Sequence, residues 1–342
     1  MANEQSPTPI RLSEYLGTLL PSDRAQLCTS VLPILVRSIS QIAKALQLAQ
    51  QVSLVGAVNA FGDDQLNVDL SAENIIRAAL AASPSVSTAS SEEEPIERPA
   101  CTDSPTRAVG SEQYTVAFDP LDGSSIIAPN WSVGTIIGIW DGPSALGQPP
   151  SEKMVASVLG IYGPRTTIVI ALRVPGSKPI CFEAGLGTGA DSEDPEVLLV
   201  QREVRFADPP FKTRYFAPAN LRAAAENDQY MALVTHYVKQ KYTLRYSGGL
   251  VPDIVHALVK KQGVYISPVT GKSKAKLRKL YELYPVALII ECAGGSAVNP
   301  EDGSDILTTP IGHCDERAGF VCGTTEEVQF AIKSLLNKPD LE

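Results

Sequence analysis

The feature that most constrains this chain is the octapeptide Phe118-Asp119-Pro120-Leu121-Asp122-Gly123-Ser124-Ser125. The five residues 114–118 are β-branched, aromatic or small, and they predict a strand. Such a strand delivers Asp119 to its C-terminal end. Pro120 has no N–H and takes the backbone out of the ladder. Asp122 then projects on the same side, with the Leu121 carbonyl between the two carboxylates. Three hard oxygen donors within four residues suit Mg2+ or Mn2+ rather than zinc. Gly123-Ser124-Ser125 follows with N–H groups and hydroxyls at the start of a short helical turn, which is an anion site. Cation ligands joined to a phosphate cradle point to metal-assisted phosphoryl chemistry. Taken alone, Asp122-Gly123 would equally suit a hairpin turn; the specificity lies in the whole string.

Around this motif the pattern predicts an α/β chain (layered α+β). The 342 residues suggest about two domains. We expect a division near 205, with domains 1–205 and 206–342. Helical spacing of Leu27, Val31, Leu35, Ile39, Ile42 and Leu46 predicts a long helix kinked at Pro33. Ser71 is a candidate cap for a helix over 72–82. Residues 83–113 are rich in Ser, Pro, Glu and Thr and read as a loop. Strands are expected at 114–118, 133–140, 155–162 and 166–173, with surface loops at 143–152 and 185–195. Beyond 205 the expectations are helices near 220–240 and 253–261, a strand at 263–266, a basic helix at 273–281, a strand at 286–291 and a helix at 325–336.

Charge is distributed unevenly. The net charge is −9. Between Gln50 and Asp122 there are twelve acids and three bases, so this stretch holds the whole excess. Between His236 and Glu282 there are ten Lys or Arg and two acids, net +8. An acidic chain disfavours general binding to nucleic acid or anionic membranes. The apolar run 285–290 is far below the ~18 residues of a spanning helix, so no membrane role is expected. With 44% hydrophobic residues, disorder is excluded. Six scattered cysteines lack any C-x-x-C and read as reduced thiols. No signal peptide is apparent, and Glu4 and Glu14 argue against an organelle presequence. A cytoplasmic location is the expectation.

The octapeptide resembles the signature of the Mg2+-dependent, lithium-sensitive sugar-phosphatase superfamily, which includes fructose-1,6-bisphosphatase, sedoheptulose-1,7-bisphosphatase and inositol monophosphatase. Gly62-Asp63 and Asp69-Leu70-Ser71 resemble the first acidic pair of that family, and Ser91-Glu92-Glu93 its Ser-Glu-Glu motif. Lys276-Leu277-Arg278 followed by Tyr281-Glu282 resembles the segment that supplies the last metal carboxylate. The resemblance spans about 50–330. It is closer to the sedoheptulose-1,7-bisphosphatase branch in Gly160-Ile-Tyr-Gly-Pro-Arg-Thr166, Pro218-Ala-Asn-Leu-Arg-Ala223 and Tyr242-Thr-Leu-Arg-Tyr-Ser-Gly-Gly-Leu-Val-Pro-Asp253. Ala223 stands where fructose-bisphosphatases carry a tyrosine.

The resemblance implies a fold of layered helices and two sheets. It also implies two or more Mg2+ per active site, with Mn2+ as a substitute. Glu92, Glu93, Asp119, Asp122 and Glu282 match the metal carboxylates, and Leu121 the carbonyl ligand. The register of Glu92-Glu93-Glu94 is open by one residue; Glu92 is preferred for its spacing from Asp69. Asp63 and Asp69 match acids that position or deprotonate the attacking water, and Glu93 shares that role as general base. Asp122, Gly123, Ser124 and Ser125 match the cradle of the cleaved phosphate. Asn220, Arg245, Tyr246 and Lys276 match residues that hold the other phosphate, with Tyr265 or Ser267 in the place of a further tyrosine. The family Arg often comes from a neighbouring subunit, so a homo-oligomer, dimer or tetramer, is implied.

The implied reaction is hydrolysis of the 1-phosphate of sedoheptulose 1,7-bisphosphate, giving sedoheptulose 7-phosphate and phosphate. Fructose 1,6-bisphosphate is the alternative or second substrate. A catalytically inactive regulatory relative is a remote reading, opposed by intact acids at every matched metal position. The basic stretch 272–279 is short and lacks aromatic interleaving, so no nucleic-acid partner is expected. His313-Cys314-Asp315 reads as a loop beside a strand. Residues 50–62 contain no cysteine, so no thioredoxin switch is expected there.

Overall fold

The computed structural model describes residues 8–58, 64–101 and 112–336. Its strands are β1 Ile10–Arg11, β2 Leu54–Val58, β3 Asp64–Leu66, β4 Val86–Ser91, β5 Arg98–Pro99, β6 Tyr114–Asp122, β7 Val133–Asp141 and β8 Met154–Tyr162. They continue with β9 Thr166–Leu172, β10 Ile180–Leu186, β11 Glu196–Gln201, β12 Tyr215–Pro218, β13 Thr243–Leu244, β14 Val264–Ser267, β15 Ser296–Val298 and β16 Phe320–Gly323. The helices are α1 Leu12–Gly17, α2 Leu32–Leu48, α3 Asn67–Ala81, α4 Ser124–Ile127, α5 Pro150–Lys153, α6 Asp228–Lys239, α7 Leu250–Lys260, α8 Tyr284–Cys292 and α9 Thr325–Leu336.

Nine strands form one sheet in the order β1-β11-β10-β9-β8-β7-β6-β4-β5, antiparallel except where β4 runs parallel to β6. Five form a second, β13-β12-β14-β16-β15, and β2 pairs β3 as a ribbon. Alternating side chains on the central strands supply two faces. Ile137 and Ile139 of β7 join Ile39 and Ile42 of α2 and Ile76 of α3 in one core. Ile136 and Trp140 face the other way, into a core with Ile254 of α7 and Leu288 of α8. Tyr230 and Leu233 of α6 and Val328 of α9 cover the outer face of the second sheet. The layers are thus helix, sheet, helix, sheet, helix.

Several expectations need correction. The run 286–291 is not a strand but the helix α8, where Val286, Leu288, Ile289 and Ile290 are each 0% exposed. A helix enclosed on all sides needs no polar face, so its period disappears from the sequence. Each such Leu or Ile contributes about 1.5–3 kcal/mol by burial. The stretch 273–281 is not a basic helix; it runs irregularly into a π-helical turn, Lys279–Leu283. The expected loop over 83–113 contains β4 and β5. The strands β10, β11 and β12 are additional to those the sequence pattern predicts. Near 220–240 a short turn, Leu221–Ala225, precedes α6. Asp69 rather than Ser71 serves the start of α3, its Oδ2 accepting the Leu66 N–H at 3.0 Å. Pro33 follows a π-helical turn at Leu27–Val31 that runs on into α2, so the helix is locally irregular where the proline N–H is missing.

The helical stretch Leu27–Leu48 is long and apolar enough to cross a membrane by length and composition alone. Leu27, Val31, Leu35 and Ile39 on it are wholly buried against the large sheet. It is a core helix of this fold.

Candidate functional site

The end of β6 is built as the motif demands. Pairing with β7 shifts between Asp119↔Ile136 and Asp122↔Gly134, so one extra residue bulges out of β6. The bulge is pinned from both sides: Thr135 Oγ1 donates to the Pro120 carbonyl at 2.8 Å, and the Leu121 N–H donates to Asp119 Oδ1 at 2.9 Å. Gly123 follows at φ 102°, the left-handed region open to glycine. It turns the chain into α4, which exposes Ser124 and Ser125.

Asp122 is held across the layers. Its Oδ1 accepts the Leu250 N–H at 3.0 Å and its Oδ2 the Val251 N–H at 2.7 Å. These are N–H groups of the first turn of α7, which have no partner within the helix and carry its positive end. The approach requires Gly134 on β7, where a Cβ would lie 2.5 Å from Val251 Cβ. Glu282 enters from the π-helical turn before α8, its Oε2 accepting the Arg278 N–H at 2.6 Å. Carboxylate oxygens of Asp119, Asp122 and Glu282 all lie within 4.8 Å of one another, and all three residues are buried.

Such a cluster is electrostatically unfavourable alone. Burial, and then the charge of Glu92, hold Asp119 and Glu282 well above the usual carboxylate range. Burial pushes Asp122 up to about 6 against the pull of its two N–H donors. Three buried oxygen donors at this spacing fit a hard divalent cation, which removes the repulsion that raises them.

Glu92 stands beside this trio, its N–H donating to the Phe118 carbonyl at 3.0 Å. Its carboxylate pairs with Arg278, whose side chain is 1% exposed and whose Nε donates to Asp315 at 2.8 Å. The motif around Lys276 gives Arg278 no role, and its contact with Glu92 spans 186 positions, beyond any local pattern. Asp315, read as loop, turns out to hold that guanidinium. Glu94 pairs with Arg98 at 2.9 Å and Arg77 at 3.3 Å. The charges of Glu92 and Glu93 both bear on Asp69, whereas Glu94 faces those arginines. Asp69 is 2% exposed and is pushed up to about 7 by burial, its Oδ1 accepting from Ser124 Oγ at 3.4 Å. Asp63 lies outside the described residues.

A cavity of about 430 Å³ opens from Ser125 and is lined by Asn220, Arg222, Tyr246, Tyr265, Ser267, Lys274 and Lys276. Both candidates for the further tyrosine, Tyr265 and Ser267, therefore reach it. Arg245 does not: its guanidinium donates to its own Leu244 carbonyl at 2.8 Å and lies 5.8 Å from the Tyr215 ring centroid. Arg222 and Lys274 were not singled out in the sequence, although Arg222 lies two positions from Asn220.

Comparison with known proteins agrees with this geometry. Residues 21–190 match the family described as Fructose-1-6-bisphosphatase, N-terminal domain, and residues 210–336 match Fructose-1-6-bisphosphatase, C-terminal domain. The chain is 39% identical to a chloroplastic sedoheptulose-1,7-bisphosphatase of Chlamydomonas reinhardtii, over 80% of its own length and 64% of that relative's. It thus spans somewhat less than two thirds of that protein. It is 35% identical to a class 1 fructose-1,6-bisphosphatase of Syntrophotalea carbinolica, over 82% of its own length and 80% of the relative's. Among solved structures, a provisionally named sedoheptulose-1,7 bisphosphatase from Toxoplasma gondii superposes with a TM-score of 0.81 at 31% identity, covering 95% of this chain and 98% of that one.

Proposed function

This chain belongs to the fructose-1,6-bisphosphatase family, and from that premise we propose that it hydrolyses the 1-phosphate of sedoheptulose 1,7-bisphosphate. One observation carries the reading: a buried carboxylate trio and an unpaired cationic cavity meet at the turn of Ser124 and Ser125. The first can receive a phosphate through divalent cations and the second can hold another directly. The seven-carbon substrate is preferred because 39% identity to a sedoheptulose-1,7-bisphosphatase exceeds 35% to a fructose-1,6-bisphosphatase. The latter relative makes fructose 1,6-bisphosphate the second reading.

In this mechanism Asp119, Asp122 and Glu282, with Glu92, Glu93 and the Leu121 carbonyl, would hold two or more Mg2+ or Mn2+ ions. Bound there, such ions lower the pKa of water and offset charge on the leaving alkoxide. The N–H groups and hydroxyls of Ser124 and Ser125, with Gly123, hold the phosphoryl oxygens. Asp69, which burial holds above the usual carboxylate range, takes a proton from the attacking water, with Asp63 and Glu93 sharing that work. Glu92 and Glu93, rather than Glu94, fit the ligand register because both charges bear on Asp69, and that of Glu92 also on Asp119 and Glu282, whereas Glu94 turns to Arg77 and Arg98.

The same reading keeps the division into 1–205, with the metal and scissile-phosphate site, and 206–342, with Asn220, Tyr246 and Lys276 at the distal phosphate. Glu282 reaches back across it. A homo-oligomer is supported by the direction of Arg245, exposed and turned away from its own cavity. A reducing, cytoplasmic setting suits six free cysteines, five of them buried. The test is phosphate release from the two sugar bisphosphates, side by side with Mg2+. A higher kcat/KM for the seven-carbon substrate is expected; preference for the six-carbon one would reverse the assignment, and no release from either would end it.

A further inference from the structure

We propose that Arg222 is a further side chain that grips the phosphate which is not cleaved, one the sequence motif does not assign; this deepens, and rests on, the sugar-bisphosphatase reading. The distal cavity brings three cations together, Arg222, Lys274 and Lys276. Among the described residues none of them has a carboxylate partner. Three like charges converging without counter-ions is costly unless an anion joins them. A phosphate dianion supplies that charge.

Asn220 organises this cavity. Asn220 has two amide hydrogens, and Nδ2 spends them on the Pro268 carbonyl at 2.7 Å and the Ser273 carbonyl at 3.2 Å. Asn220 therefore ties together the two loops that carry the cations. Its backbone, at φ 46°, starts the turn Leu221–Ala225, and the Ala223 N–H closes that turn on the Asn220 carbonyl at 2.8 Å. Arg222 is thereby presented from a tied turn. Arg245 of the same chain points away from this cavity, toward Leu244 and Tyr215. Burial raises the Tyr246 phenol and the Arg222 charge works against it, so the guanidinium acts at the hydroxyl that lines the same cavity.

Arginine also fits the task chemically. Its planar fork matches two phosphate oxygens at once, whereas Lys274 and Lys276 act as point charges. Removing such a contact weakens ground state and transition state alike, which raises KM and spares kcat.

The experiment uses the full chain and three variants, Arg222→Ala, Arg222→Gln and Arg222→Lys. Arg222 is exposed, so each is expected to fold. Fructose 6-phosphate, which carries only a distal phosphate, is titrated calorimetrically into metal-free protein. Arg222→Ala and Arg222→Gln should bind it about tenfold or more weakly, with Arg222→Lys between them and wild type. In steady state with Mg2+, Arg222→Ala should raise KM for the bisphosphate about tenfold while kcat stays within about threefold. The bisphosphate should lose far more kcat/KM than fructose 1-phosphate, which has no distal group. Unchanged affinity for fructose 6-phosphate, or equal loss for both phosphates, overturns the proposal. Wild type that binds fructose 6-phosphate through Arg222 yet releases no phosphate would sustain it and overturn the phosphatase reading.

Discussion

Asp122 Oδ2 accepts the backbone N–H of Val251 at 2.7 Å, and this bond joins the bulged end of β6 to the first turn of α7. The two residues lie 129 positions apart. One carboxylate thus belongs to the acid trio and also terminates a helix that packs beneath the second sheet. A change at Asp122 should register in both chemistry and stability.

Asp122→Asn is the sharpest test of that double duty. An amide offers one oxygen, so one of the N–H groups of Leu250 and Val251 loses its acceptor. Stability should fall by about 1–3 kcal/mol. Loss of a metal carboxylate removes several kcal/mol of transition-state stabilisation, roughly 10²–10⁴ in rate. Retention of normal Mg2+-dependent phosphate release would show that Asp122 is structural only.

The pH dependence of the metal-free protein follows from Asp69 at about 7 and Asp122 at about 6. Both stand above the ordinary 3.8, so the folded chain binds more protons than the unfolded one across this window. Stability from these groups is full below about pH 4 and is lost as pH rises through 6 to 7. Other acids oppose this at low pH, so the readable window is pH 5 to 8. Tm of metal-free protein should fall across it, and saturating Mg2+ should flatten or reverse the fall. Cation binding near pH 6.5 should also release protons, which calorimetry in two buffers of different ionisation enthalpy measures.

The paired Arg278 and Glu92 give a third prediction. The guanidinium is 1% exposed and offsets an acid cluster when no cation is bound. Arg278→Met should remove a buried partner of Glu92 and leave Asp315 to Arg317 alone, at a cost of about 3 kcal/mol. Mg2+ should then raise Tm more in the variant than in wild type, because the cation takes over part of the lost charge. Thermal unfolding in chelator and in Mg2+ separates the two; equal shifts would mean that Arg278 does not balance the cluster.

What the sequence disclosed follows from locality. The octapeptide was legible because strand, proline break, glycine turn and hydroxyls act on neighbours in the chain. The strand β4 was hidden in Val86-Ser-Thr-Ala-Ser-Ser91, whose serine content reads as loop although it lies buried beside β6. The helix α8 was misread because enclosure on every side erases its period. The lysines of 272–279 suggested a solvated helix face, yet Arg278 among them is buried by Glu92 and Asp315 from distant segments. The direction of Arg245 depends on Tyr215 across the parallel pair of β12 and β13. Such pairings are decided by packing between layers, and no short window contains them.

Gly134 offers the strictest test of the link between packing and chemistry. A Cβ there would lie 2.5 Å from Val251 Cβ and Cγ1 and 2.7 Å from Cγ2. Gly134→Ala must therefore push α7 away from β7, lengthening the bonds from Leu250 and Val251 to Asp122. Overpacking of this kind costs about 1–3 kcal/mol. Phosphate release should fall although no acid or cation has changed. Because the nearest clash is with Val251 Cβ itself, only removal of that atom restores the space, so Gly134→Ala with Val251→Gly should recover more activity than the single variant. If the double variant is worse than Gly134→Ala in kcat, the approach of α7 to β7 does not govern the position of Asp122.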